Sequence, residues 1–123
     1  MPRPAPLQDH VLRLLQDHDP RPLTGLGLAA MLRAEGHAAP ASLVFRAIRR
    51  LIDRGLVRKI HVASAYAPVG DSCAIILWCR ACGEVTEIES ADGFARLRRA
   101  AAGLADARYI VELAGRCSRC AAL

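Results

Sequence analysis

Aromatic side chains are scarce: two Phe, two Tyr and one Trp among 123 residues. The 53% apolar share therefore rests largely on Ala and Leu, which favours helices over an all-β sandwich. No apolar run approaches the ~18 residues of a membrane span. The opening Met-Pro-Arg-Pro-Ala-Pro has no apolar signal core, so a cytoplasmic protein with no membrane partner is expected. No Ser/His/Asp or Cys/His set for nucleophilic catalysis is evident, and the expectation is a protein that is not an enzyme. The length excludes a large barrel or a two-domain dinucleotide enzyme and suits one ordinary domain or two very small ones. Lysine is nearly absent as well, one against 16 Arg. That bias fits a GC-rich genome and lowers the weight of any single arginine.

What is present divides into two halves. Residues 1–60 hold 10 basic and 5 acidic groups, and residues 61–123 hold 7 of each, so the whole +5 charge sits in the first half. An anionic partner such as nucleic acid is expected there. All five cysteines lie in the second half. In a reducing compartment, regular Cys pairs read as metal ligands or redox groups before disulfides.

Leu7, Val11, Leu14 and Leu15 form one helical stripe ended by His18-Asp19-Pro20. Thr24 is placed to cap a second helix with Leu28, Met31 and Leu32 inward, and Gly36 to stop it. A third helix follows Pro40, its apolar set Val44, Ala47, Ile48, Leu51 and Ile52 ending at Gly55. Two short β-like segments, Leu56 to His61 and Ala65 to Pro68, complete a winged helix-turn-helix. The pattern predicts a winged-helix DNA-binding domain over 1–67, a hinge at 68–71, and an α/β dimerisation and zinc-binding domain over 72–123. The fold class is α+β. In the second half, Ala74 to Trp78 reads as a buried strand, Val85 to Glu89 as another, Asp92 to Leu104 as a helix, and Tyr109 to Leu113 as a third strand.

Cys79-Arg80-Ala81-Cys82 and Cys117-Ser118-Arg119-Cys120 are two C-x-x-C pairs separated by 34 residues. Two such turns can close a tetrahedron of thiolates around zinc, or hold an iron–sulfur cluster. A four-sulfur site has no open position, so it is structural, one Zn2+ per chain. Two dithiol redox switches are the competing reading. Cys73 stands apart, either a small buried apolar residue or a ligand or reactive thiol at a second site.

On the free face of the third helix lie Ser42, Phe45, Arg46, Arg49 and Arg50, with Arg54, Arg58 and Lys59 continuing the positive surface. Arginines on such a helix can enter the major groove, contacting guanine or phosphate, and Phe45 can touch a thymine methyl.

Leu43-Val44-Phe45-Arg46-Ala47-Ile48-Arg49-Arg50-Leu51-Ile52-Asp53-Arg54-Gly55-Leu56-Val57 resembles the P-x-T-V-Y-R-A-L-x-x-L-x-x-x-G-L-V pattern of the ferric uptake regulator (Fur) superfamily. Trp78 to Glu87 is similar to that family's I-C-x-x-C-G-x-V-x-E, and Ile110 to Cys120 to its V-x-E-x-x-G-x-C-x-x-C. The resemblance covers roughly residues 7–120 and is nearest the zinc-uptake-regulator branch. It implies a bacterial homodimer on a palindromic operator, a repressor of metal-homeostasis or stress genes, with a structural zinc on the two Cys pairs and a second metal at the hinge. The sequence departs from the pattern. Leu43 and Phe45 replace Thr and Tyr. Arg58 stands at a hinge His and Ser72 at another, the connecting loop is shortened, and the extra N-terminal helix of many relatives is absent. Glu87 alone lines up as a hinge ligand, and a rebuilt second site would draw on His61, Cys73 and Glu87. Three alternatives stay open: loss of metal sensing, a redox-sensing regulator, and a zinc-ribbon dimeric interaction module without operator binding.

Overall fold

In the computed structural model, which describes residues 6–70, 75–88, 91–105 and 110–122, helix α1 (Leu7–His18) begins after Pro6. Its Val11, Leu14 and Leu15 are buried. Thr24 caps α2 (Gly25–Ala34) by accepting the Gly27 N–H at 3.0 Å, satisfying one of the donors a helix start leaves open. Helix α3 (Ala41–Asp53) buries Val44, Ala47, Ile48 and Leu51 against the other two. Ile52, expected inward, is more than a third exposed. It sits at the border of a stripe already filled by its four buried neighbours.

Strands β1 (Val57–Ile60) and β2 (Ala65–Pro68) form the antiparallel wing, joined by a 3-10 turn, His61–Ala63, and Ser64 in the left-handed region at φ 49°. Tyr66 exchanges backbone hydrogen bonds with Leu23 (2.8 and 2.9 Å), so the α1–α2 connector lies against the wing. Pro68 belongs to β2, and the Val69 N–H still reaches the Leu56 carbonyl at 3.0 Å. The second strand thus spans the expected Ala65 to Pro68. Asp71 and Cys73 lie outside the described residues.

The second half carries a three-stranded sheet in the order β4-β3-β5, with β3 (Ile75–Cys79) antiparallel to β4 (Val85–Ile88) and parallel to β5 (Glu112–Gly115). A parallel neighbour needs a crossover, and α4 (Ala91–Ala100) lies within it, followed by a 3-10 turn, Ala101–Gly103, where a continuous helix to Leu104 was expected. The third strand also corrects an expectation. Among the described residues it covers Glu112–Gly115, where Tyr109 to Leu113 was expected (Tyr109 lies outside the described residues), because the parallel register places Gly115 opposite Cys79. A one-turn helix α5 (Ser118–Ala121) ends the fold.

Ile76 pairs with Glu87 on one side and Glu112 on the other, so these three side chains share one sheet face. On that face Ile76 is fully buried against Ile60 and Ala67 of the wing. The opposite face carries Leu77, Thr86 and Leu113 in one row, and Leu113 is 57% exposed.

Candidate metal centre and nucleic-acid interface

The end of β3 delivers Cys79, and the turn after it brings back Cys82. Gly83 closes that turn at φ +81°, with its N–H on the Cys79 carbonyl at 2.8 Å. A side chain at this φ would be strained. The Arg80 N–H binds the Gly115 carbonyl at 2.7 Å and pins the end of β5 beside the first pair. Cys117 follows, and α5 places Cys120 one turn on. The four Sγ atoms lie within 4.8 Å of one another, with Cys82 and Cys117 at 3.9 Å. A tetrahedral zinc with Zn–S near 2.3 Å requires S···S edges of about 3.8 Å. The donor set therefore fits a metal ion in number, spacing and chemistry.

The backbone prepares these sulfurs for a cation. The N–H groups of Cys117 (3.3 Å) and Cys82 (3.4 Å) point at the Cys79 sulfur and bring its pKa down to about 5. The Cys120 N–H lowers Cys117 in the same way. Cys120 is pushed up to about 12, chiefly by the adjoining sulfurs of Cys117 and Cys79. Cys79 is thus ready as thiolate, while Cys120, hydrogen-bonded to the neighbouring sulfurs, holds the proton that a dication would displace.

The knuckle is joined to the winged helix. Arg21, between α1 and α2, donates to the Cys82 carbonyl at 3.0 Å and lies 3.6 Å from Glu84, which also binds Arg119. The Val85 N–H reaches the Pro20 carbonyl at 2.8 Å.

Ser42, Phe45, Arg46, Arg49 and Arg50 all lie exposed on α3. None of the three arginines has a carboxylate partner among the described residues, whereas Arg13, Arg21, Arg58 and Arg119 do. The Phe45 ring rests on Gly25, where an added Cβ would come within 2.3 Å of it. Sequence reading had no signal for this contact, because the two residues lie on different helices.

His61 and Glu87, two residues of the expected second metal site, engage other partners. His61 Nδ1 is 3.2 Å from Glu112, and Glu87 is 3.6 Å from the Arg58 guanidinium. Glu112 and Glu87 flank β3 on opposite sides, so the described residues do not gather that set into one centre. Cys73 cannot be placed with them, since it lies outside the described residues. Glu112 itself has a place that sequence reading did not give it. Its side chain is only 5% exposed, and its oxygens accept from the N–H groups of His61 (3.0 Å) and Val62 (2.9 Å). Burial pushes the carboxyl up, but those N–H groups and the His61 ring outweigh it, and its pKa lies below the usual glutamate value.

No helix among the described residues is long and apolar enough to cross a membrane. No protein-family model matches the chain, and no curated protein matches it in sequence. Solved structures do. Holo XcZur superposes with a TM-score of 0.79 at 26% identity, covering 98% of this chain and 88% of that one. The apo form of XcZur gives 0.51 at 27% identity over 97% and 86%. A zinc uptake regulator complexed with zinc and DNA gives 0.84 at 25% identity over 98% and 84%. The Francisella tularensis ferric uptake regulator with iron shares the fold, with a TM-score of 0.71 at 15% identity over 97% and 94%. A winged helix leading into a β4-β3-β5 sheet closed by four cysteines, matched nearly end to end by these structures, makes the chain similar in fold and layout to the ferric uptake regulator superfamily, and most of all to its zinc uptake regulators.

Proposed function

We propose that the chain is a dimeric transcription regulator of metal homeostasis that binds a palindromic duplex through Ser42, Phe45, Arg46, Arg49 and Arg50, each subunit holding one structural zinc on Cys79, Cys82, Cys117 and Cys120. The observation that carries the reading is the set of arginines on the exposed face of α3 that have no carboxylate partner among the described residues, set on a chain that is a quarter identical to a regulator complexed with zinc and DNA. Winged helices present this helix to the major groove, where arginine contacts guanine and phosphate. Zinc, when bound, supplies a closed tetrahedral tie with no open position, so its contribution is structural. Exposed apolar side chains of the second half support the dimer: Leu113 on the sheet, and Leu104 and Ile110 outside its strands, are each more than half exposed. Apolar surface of this kind marks an association site.

The test is duplex binding across a salt series together with metal analysis of the purified protein. Log affinity is expected to fall linearly with log salt. Arg46→Ala is expected to cost about 1–3 kcal/mol if it reads a base, or to lower the salt slope by about one unit if it contacts phosphate. One zinc per chain is expected. Binding that ignores salt, or an Arg46→Ala variant equal to the wild type on both measures, would overturn the assignment of α3 and favour an interaction module without operator binding.

A further inference from the structure

We propose that three carboxylates of the second half, Glu84, Glu87 and Glu112, hold the winged helix in its duplex-binding orientation, so that the metal at the four cysteines is the only one binding requires. The proposal rests on the DNA-binding reading above and names its regulation.

Each carboxylate projects from the β-sheet half onto a different part of the winged helix. Glu84 meets Arg21 of the α1–α2 connector at 3.6 Å, beside the hydrogen bonds from Arg21 to the Cys82 carbonyl and from Val85 to Pro20. Glu87 meets Arg58 of β1 at 3.6 Å, both side chains about three-quarters buried. Glu112 takes the first two N–H groups of the 3-10 turn at the tip of the wing. Ile76 stands between Glu87 and Glu112 and packs on Ile60 and Ala67. A greasy contact alone permits sliding. The charge-assisted hydrogen bonds of Glu112 on one side of it, the Glu87–Arg58 ion pair on the other and the Glu84–Arg21 ion pair at the knuckle fix direction as well. Three non-collinear struts leave two bodies no free rotation.

The cation facing Glu87 belongs to the chain itself. Arg58 is always charged, and its presence does not vary with metal supply. The geometry so held superposes on holo XcZur far better than on its apo form, 0.79 against 0.51. A ligand shifts a conformational equilibrium only by binding one state better than the other. Where covalently attached groups already favour one state, a second metal has little left to shift.

Two variants break different struts. Glu112→Ala removes the cap on the wing turn. Gly70→Ala places a Cβ 2.3 Å from the Glu87 carboxylate, a flexible tip that would swing away from Arg58. The experiment uses the isotopically labelled, zinc-loaded full chain. Residual dipolar couplings of α1–α3 and β3–β5 are measured without DNA, and duplex affinity is measured at fixed salt. In the wild type one alignment tensor is expected to fit both halves. In the Glu112→Ala/Gly70→Ala double variant each half should keep its internal couplings but need its own tensor. Affinity should fall about tenfold, as the oriented fraction drops to about a tenth. Glu112→Gln keeps an acceptor oxygen and should restore most of the loss. Zinc(II) or manganese(II) added past the first equivalent should change wild-type affinity by less than about twofold. A single tensor in the double variant, or a wild-type affinity that rises about tenfold or more with the second equivalent, overturns the proposal. Separate tensors in variants of a protein that binds no duplex in any form would support the struts and remove the DNA-binding reading alone.

Discussion

The two halves differ sharply in what holds them together, and stripping the metal should expose that difference. The winged helix buries eleven residues in one cluster, from Val11 to Val57. In the second half only Ile76 and Cys79 are buried among the described residues. Full burial of an Ile side chain is worth about 1.5–3 kcal/mol, too little to order a segment of that length. The metal tie joins Cys79 to Cys117, 38 residues apart. The chain-entropy relation for a cross-link closing a loop of that size gives about 4 kcal/mol at 25 °C. Removal of the metal by chelation under reducing conditions, or Cys117→Ser, should therefore lower amide protection in β3, β4 and β5 by about 10³-fold. The helices α1–α3 should keep theirs. Hydrogen exchange followed residue by residue measures both at once. Protection unchanged in β3–β5, or lost equally in the two halves, would refute the argument that the thiolate cluster is the principal tie of the second half.

Gly25→Ala should cost little stability, since the clash is with the free end of the Phe45 ring, but should turn that ring out of its seat against α2 and weaken duplex binding. A mobility-shift titration beside a thermal melt separates the two effects. Leu113→Glu puts a charge on the bare sheet face, where Leu113 is exposed in the single chain. Analytical ultracentrifugation should show monomer with the metal content intact, and an unchanged dimer would place the subunit contact elsewhere. The Glu112 carboxyl is held below the usual glutamate range by the His61 and Val62 N–H groups, against the opposing effect of its burial. A depressed folded pKa stabilises above the unfolded value of about 4.3 and loses that effect as pH falls through the folded one. Exchange protection at His61 and Val62 should hold from neutral pH down to that value and fail below it in the wild type, while Glu112→Gln should show no such step.

The winged helix was legible because its signals are local. Thr24, the stripe of α3 and the stops at Gly36 and Gly55 each act within a few residues. The Cys pairs were legible because ligand spacing is itself local chemistry. The third strand was misplaced for the opposite reason. Alternation over Tyr109 to Leu113 is a weak local cue, and the register is set from outside by Ile76 to Cys79, which draw Gly115 to the end of β3 and Cys117 onto the Cys79 sulfur. The contacts between the halves span still longer separations: 61 residues from Arg21 to Cys82 and 51 from His61 to Glu112. Glu112 stands in a recognisable Ile110-Val111-Glu112 segment, yet nothing within that segment says what its carboxylate meets.

The same distances divide the arginines in a way composition conceals. The surplus of +5 comes from the first half, but its cations are not equivalent. Arg21 and Arg58 face carboxylates of the sheet, and Arg13 faces Glu35 and Asp17. Arg46, Arg49 and Arg50 lie exposed on α3 with no carboxylate partner among the described residues. Pairing removes a cation from the field an approaching polyanion meets, while an unpaired exposed cation contributes fully. The acids of the second half thus do two things at once: they fix the winged helix, and they quench positive charge between the halves. That leaves α3 as the concentrated source of attraction and gives the encounter with a duplex a direction. Neutralising Glu87 would then do more than loosen a strut. It would free Arg58 to attract phosphate away from α3, raising non-specific binding while specific binding fell, a divergence that removing an arginine from α3 could not produce.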